Sequence, residues 1–237
     1  MIGYRSKKFY TITNSEFIVG GVASTYRRSI LQQVGYYDTD TTTEDIGLSM
    51  KVVALGNRDH RIVYAADVVA TTEGAHSFPA LLRQRYRWKM GSLQNLIKHA
   101  HLIGTTRDGQ YSRSLTWYRL PMAFASELIL LLQPLLLGYI ISLSVHFQTF
   151  GLFTGAYVTL TIYTLWTIWP DEHSSRRHKL TMSLYAPALY FCFYIMDLIQ
   201  LIAILRCLRH PSQLARRTKP ETGWVSPERL GQQASFS

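Results

Sequence analysis

Pro79-Ala-Leu-Leu-Arg-Gln-Arg-Tyr-Arg-Trp-Lys-Met-Gly-Ser-Leu-Gln-Asn-Leu-Ile-Lys-His99 is the stretch on which the reading of this chain turns. A proline in the first turn with good helix formers behind it predicts a helix. At about 100° per residue, Leu82, Tyr86, Met90, Leu93 and Ile97 fall within an arc of roughly 80° and form an apolar stripe. Arg83, Arg87, Gln94 and Lys98 flank it. Trp88 lies roughly 160° from the centre of the stripe, on the side that carries Gln84 and, nearer the edge, Arg87. A large aromatic turned away from the apolar side has two readings: a binding surface, or packing under a second layer of protein.

Upstream, the chain alternates helix and strand signals. Met1 to Tyr10 is loop-like and basic, without the apolar core of a signal peptide. Phe17-Ile-Val19 stops at Gly20-Gly21 and resumes over Val22 to Tyr26, as a buried strand broken by a turn or a place of close backbone approach. Ser29 to Val34 reads as a short helix closed by Gly35. After a polar loop, Thr43 is the N-cap of a helix that carries Glu44 and Asp45 in its first turn and runs from there to Leu55, ending at Gly56. Arg61 to Thr72, rich in Val, Ile and Ala, reads as a strand. The pattern predicts part of an α/β layer, with too few strands for a complete doubly wound domain.

Downstream, residues 100–116 are polar, and three long apolar segments follow at 117–144, 147–169 and 180–205. Each exceeds the roughly 20 residues that cross a bilayer. Trp117, Tyr118, Trp166 and Trp169 sit at their ends, as at a membrane interface. Of the 237 residues 47% are hydrophobic and only 17% charged, which fits an α-helical transmembrane region better than soluble core helices. The net charge of +10 lies beside these runs and points to anionic headgroups and a cytoplasmic side, not to nucleic acid. Basic clusters precede the first segment, separate the second from the third (Arg176, Arg177, Lys179) and follow the third (Arg206, Arg209, Arg216, Arg217, Lys219). Either the third segment is re-entrant, broken at Pro187, so that all three are cytoplasmic, or the positive-inside rule fails here. Cys192 and Cys207 suggest neither a disulfide framework nor a metal set.

Gly20-Gly21 followed by Arg27-Arg28, the triplet Thr43-Glu44-Asp45, and Gln84-Arg-Tyr-Arg87-Trp88 about forty residues further on together resemble one family. They are similar to the C-terminal part of the processive family 2 glycosyltransferases, which include cellulose, chitin, hyaluronan and poly-N-acetylglucosamine synthases. The opening Gly3 to Lys8 and the tail Trp224-Val-Ser-Pro-Glu-Arg229 look most like the bacterial poly-β-1,6-N-acetylglucosamine synthases. The resemblance implies residues 1–78 as the acceptor half of a GT-A-type catalytic domain, 79–116 as an interfacial helix with linker, 117–206 as membrane helices and 207–237 as a basic tail. It implies a multi-pass protein of the inner membrane whose transferase part is cytoplasmic, a UDP-sugar donor, with UDP-N-acetylglucosamine first, and a growing polysaccharide acceptor.

Inverting transfer displaces a nucleotide at the anomeric carbon, so an acceptor hydroxyl must lose a proton to a carboxylate. By resemblance Asp45 is that base, with Glu44 beside it; alone, both residues also read as helix-dipole carboxylates. Arg87 suits a diphosphate leaving group, Gln84 the sugar or phosphate, and Trp88 a stacked acceptor sugar. Gly20 and Gly21 would line the acceptor site, or form an ordinary turn. Trp224 and Arg229 resemble a tail element that closes over the nucleotide, or belong to a basic tail. Asp38-Thr39-Asp40 is a literal D-x-D but lies in a polar loop and is set aside as a metal site. The resemblance also implies Mg²⁺ or Mn²⁺ on the diphosphate, with ligands expected outside this chain. The isolated chain is therefore expected to be inactive and to need a nucleotide-binding N-terminal half or accessory membrane subunit. The opposing reading is a non-catalytic or split-gene membrane protein that keeps the motifs as structure.

Overall fold

The computed structural model describes residues 2–65, 68, 70, 72–105, 109–170 and 174–215. The helices are α1 (Ile2–Ile12), α2 (Arg28–Val34), α3 (Glu44–Ala54), α4 (Phe78–Lys98), α5 (Leu120–His146), α6 (Gly151–Ile168), α7 (Arg176–Leu208) and α8 (Pro211–Ala215). Local chemistry explains several of their ends. Gly35 closes α2 with φ of 74°, where a side chain would be strained, and its N–H reaches back to Gln32. Ser77 caps α4 by accepting from the Ala80 N–H at 3.3 Å, with Pro79 in the first turn.

The chain divides into two units. One comprises residues 7–125 and 202–215. Phe17, Met50, Val53, Leu96, Leu102 and Leu115 form its core, each at most 3% exposed. A buried polar knot closes one side of it. Asn57 donates to the Asn14 carbonyl at 2.6 Å and accepts from the Ser112 N–H at 2.8 Å, and Ser112 Oγ donates to the same carbonyl. Leaving one such buried group without its partner costs about 1–3 kcal/mol. Glu16, also buried, accepts from the N–H groups of Phe17 and Ile18 and pairs with Lys7 at 2.9 Å.

The other unit comprises residues 2–6 and Ser126–Leu201. Its helices carry exposed apolar side chains, among them Leu135 at 71% and Leu184 at 82%. Asp197, the charged residue of the third apolar run, accepts from Gln133 Nε2 at 2.7 Å, which joins α7 to α5.

Three expectations differ from the structure. Met1 to Tyr10 reads as loop, yet Ile2–Ile12 is helical. The sequence predicts an α/β layer with strands near 17–26 and 61–72, but among the described residues there is no strand. Their amides bond to side chains instead: Val19 N–H to Ser49 Oγ at 3.0 Å and Tyr64 N–H to Thr11 Oγ1 at 2.9 Å. A strand needs a neighbouring edge, and these segments have none beside them among the described residues. Of the three predicted membrane helices, one, Ser114–His146, is long and apolar enough to cross a bilayer. A second is added if Arg176–Leu189 and Tyr194–Leu208, which meet at a 60° bend, form one span. Gly151–Ile168, 18 residues long, is not among them because threonines 154, 159, 161, 164 and 167 dilute its hydropathy.

His99 follows α4, is 5% exposed, and its Nδ1 lies 3.1 Å from the Asn95 carbonyl, which fixes that nitrogen as a donor. Burial pushes its pKa down from 6.5 to about 4. The unfolded chain therefore binds more protons below pH 6.5, so this stabilisation is complete above 6.5 and is lost as pH falls towards 4. We expect up to roughly 3 kcal/mol of loss across that window. Thermal melts of the wild type and a His99→Gln variant over this range check it, with the variant showing a smaller decline.

Candidate functional site

The first turn of α3 lies against the middle of α4, and the contact is closer than side chains normally allow. A Cβ built on Gly91 would sit 2.7 Å from Thr43 Cβ and nearer still to its Oγ1. Glycine inside a helix costs about 1 kcal/mol relative to alanine, and here its missing side chain is what permits the approach. One turn on, fully buried Asn95 donates to Thr41 Oγ1 at 3.3 Å, to the Thr43 carbonyl at 3.2 Å and to the Gly91 carbonyl at 2.9 Å. Thr43 holds the N-cap position, but its hydroxyl faces Asn95 Nδ2 and makes no cap bond to its own helix.

This turn carries the predicted carboxylates. Asp45 Oδ2 accepts from the Gly21 N–H at 2.9 Å, and Oδ1 accepts from the Ile46 N–H at 2.9 Å. Ser49 docks the approach to the glycine turn on the same helix, donating to the Asp45 carbonyl and accepting from the Val19 N–H. Burial pushes the Tyr26 phenol above its ordinary value, and its hydroxyl lies 3.3 Å from Ser49 Oγ. Asp45 and Gly21 are thus brought together. Glu44 is exposed, and a Cβ on Gly20 would meet nothing within 4 Å. A Cβ on Gly21 would make only ordinary contact with Asp45, at 3.5 Å. The backbone N–H of Gly21, rather than its lack of a side chain, makes the contact.

Gln84, Arg87 and Trp88 share a face of α4 with Gly91, Gln94, Asn95 and Lys98, within an arc of roughly 120°. The predicted apolar stripe holds at Met90, which is 1% exposed, but not at the end of the helix. Gln94 is 2% exposed, whereas Ile97 is 48% exposed. Hydrogen bonding to the Thr41–Thr43 turn, not burial of the stripe, decides which side packs there. Trp88 is 42% exposed, and the Arg85 guanidinium lies 4.5 Å from its ring centroid. Along the axis Trp88 is only about 4.5 Å from Gly91, so the motif lies one turn from the base of α3.

The acidic pair Asp38 and Asp40 is already engaged. Lys51 Nζ reaches Asp38 at 2.7 Å, and Lys98 Nζ bridges Asp38 at 2.9 Å and Asp40 at 2.7 Å. Burial pushes the Asp38 carboxyl up, but Lys51 and Lys98 outweigh it and hold it below its ordinary value. The same balance raises Lys98, where burial opposes and Asp40 with Asp38 prevail. Carboxylates neutralised by lysines do not fit a divalent cation, and among the described residues no three His, Cys, Asp or Glu converge on one. Trp224 and Arg229 lie outside the described residues.

The profile of the family described as Glycosyl transferase family group 2 matches residues 5–202. The chain belongs to this family. Family 2 glycosyltransferases generally use a divalent metal. Among relatives of this chain, poly-beta-1,6-N-acetyl-D-glucosamine synthase of Staphylococcus epidermidis is 24% identical over 233 residues, 94% of this chain and 53% of the relative. The synthase of that name from Staphylococcus aureus is 32% identical over 92 residues, 39% of this chain and 22% of the relative. The chain spans about half the length, or less, of these curated relatives. No solved structure matches it.

Sequence reasoning missed Gly91, Gln94 and Asn95, although they continue the face of Gln84, Arg87 and Trp88 at helical spacing. A Gly91→Ala variant should lose about 1–3 kcal/mol through overpacking against Thr43. Thermal unfolding beside a Ser92→Ala control, one position off the contact, checks this; the control should stay within about 0.5 kcal/mol.

Proposed function

We propose that this chain is the acceptor-side, membrane-embedded part of an inverting hexosyltransferase that extends poly-β-1,6-N-acetylglucosamine from UDP-N-acetylglucosamine. The observation that carries this reading is the Asp45–Gly21 hydrogen bond at the first turn of α3, one turn from the face of Gln84, Arg87 and Trp88. A carboxylate held between two backbone N–H groups is oriented before the acceptor arrives, as a general base must be. Asp45 would take the proton of the attacking hydroxyl. Arg87 would bind the diphosphate as its charge grows, and Gln84 would hydrogen-bond the sugar or phosphate. Trp88, with Arg85 over its ring and much of its surface exposed, would offer a face to the terminal acceptor sugar. Glu44 and the Gly20-Gly21 turn would border that sugar, and Trp224 and Arg229 would close over the nucleotide.

The metal and nucleotide sites belong, on this reading, to an N-terminal half or partner subunit. Its sheet would supply the edge that segments 17–26 and 61–72 lack and complete a GT-A layer. Alone, the chain would not turn over. The membrane assignment is supported by Ser114–His146, whose most apolar 18 residues are almost all uncovered by the rest of the chain. A soluble core helix of that composition would be mostly covered. The exposed apolar side chains of α6 and α7 fit the same multi-pass arrangement in an inner membrane, with the transferase part cytoplasmic.

With the nucleotide-binding half supplied, Asp45→Asn should lower polymer synthesis by about 10²–10⁴-fold while protein level and membrane location hold. Radiolabel incorporation from UDP-N-acetylglucosamine measures it. Undiminished synthesis would overturn the assignment of the base.

A further inference from the structure

We infer that Gln94 is a positioning residue that ties the base-bearing turn and the start of the C-terminal segment to one point of the motif helix. Its two polar atoms serve two distant parts of the chain. Oε1 accepts from the Thr42 N–H at 2.8 Å, and Nε2 donates to the Gln213 carbonyl at 2.9 Å. The side chain is buried, 2% exposed, so neither bond is shared freely with water. Gln94 and Asn95 divide the turn between them: Asn95 bonds Thr41 and Thr43, and Gln94 holds Thr42 between them. Asp45 follows three residues after Thr42 and is placed by that turn. Gln213 lies in α8, which packs on α4, and the chain continues from it towards Trp224 and Arg229.

A carboxamide does both tasks without carrying charge. An ionised glutamate keeps an acceptor for Thr42 but has no donor for the Gln213 carbonyl; leucine has neither. Gln94 thereby bonds both the turn leading into Asp45 and the backbone of α8. A shift of α8 would be felt at Thr42 through two hydrogen bonds. The kinetic part of this inference rests on Asp45 being the base; the structural part does not.

The test is amide hydrogen exchange of the full chain in detergent micelles, comparing wild type, Gln94→Leu and Gln94→Glu. Gln94→Leu should speed exchange by about tenfold in both 41–45 and 211–215. Gln94→Glu should do so in 211–215 alone. Either segment unmoved in Gln94→Leu, or both moved equally in Gln94→Glu, would overturn the bridge. With the nucleotide-binding half supplied, Gln94→Leu should lower kcat by about tenfold at donor KM within about twofold, because positioning and not donor binding is lost. Gln94→Glu should recover most of that kcat. Unchanged kcat in Gln94→Leu, or no recovery in Gln94→Glu, would overturn the positioning role. Failure of the base reading would show separately in Asp45→Asn, and the exchange result decides the bridge in either case.

Discussion

Backbone approaching side chain at Gly91 is the constraint on which the described site depends. The first turn of α3 cannot lie where it does unless α4 presents no Cβ there. Once the approach is made, the turn's polar groups are shut away from water and must find partners. Asn95 and Gln94 supply them, with a carboxamide for each part of the Thr41–Thr43 turn. Two motifs about forty residues apart in sequence are thus held in one register by a contact that belongs to neither.

Local signals in the sequence were legible where they act locally. The proline marked the start of α4 to within a residue, and Gly35 marked the end of α2. The position of Glu44 and Asp45 in a first helical turn followed from composition alone. The direction in which α4 faces did not. A count of apolar residues favours Leu93 and Ile97, whereas the packing surface is chosen by an absence at Gly91 and by amides that bury only because a turn awaits them. Segments 17–26 and 61–72 have strand composition, but a strand is a relation between two segments, and one sequence segment cannot show whether its edge is filled. Nor did basic residues at the start reveal α1.

The apolar unit shows a different limit. Its helices were visible as long, mostly apolar runs, yet α6 is held to 18 residues and carries a hydroxyl about once per turn. Thr164 and Thr167 turn their hydroxyls back onto carbonyls of their own helix, at 2.8 and 2.7 Å. Such bonds hide polarity that a hydropathy sum counts in full. Asp197 is likewise less anomalous than its solitude in the sequence suggests, because Gln133 covers it.

The lysine pairs around Asp38 and Asp40 have an electrical consequence. Two carboxylates and two ammonium groups, Lys51 and Lys98, cancel at short range, so the loop beside the site is a multipole whose field dies away within a few ångströms. Bare, the same two acids would repel any anion that approached this loop. Paired with Lys51 and Lys98, they add little net charge of their own to the face they occupy. A sequence that looks acidic at this loop is therefore, to an arriving anion, nearly silent.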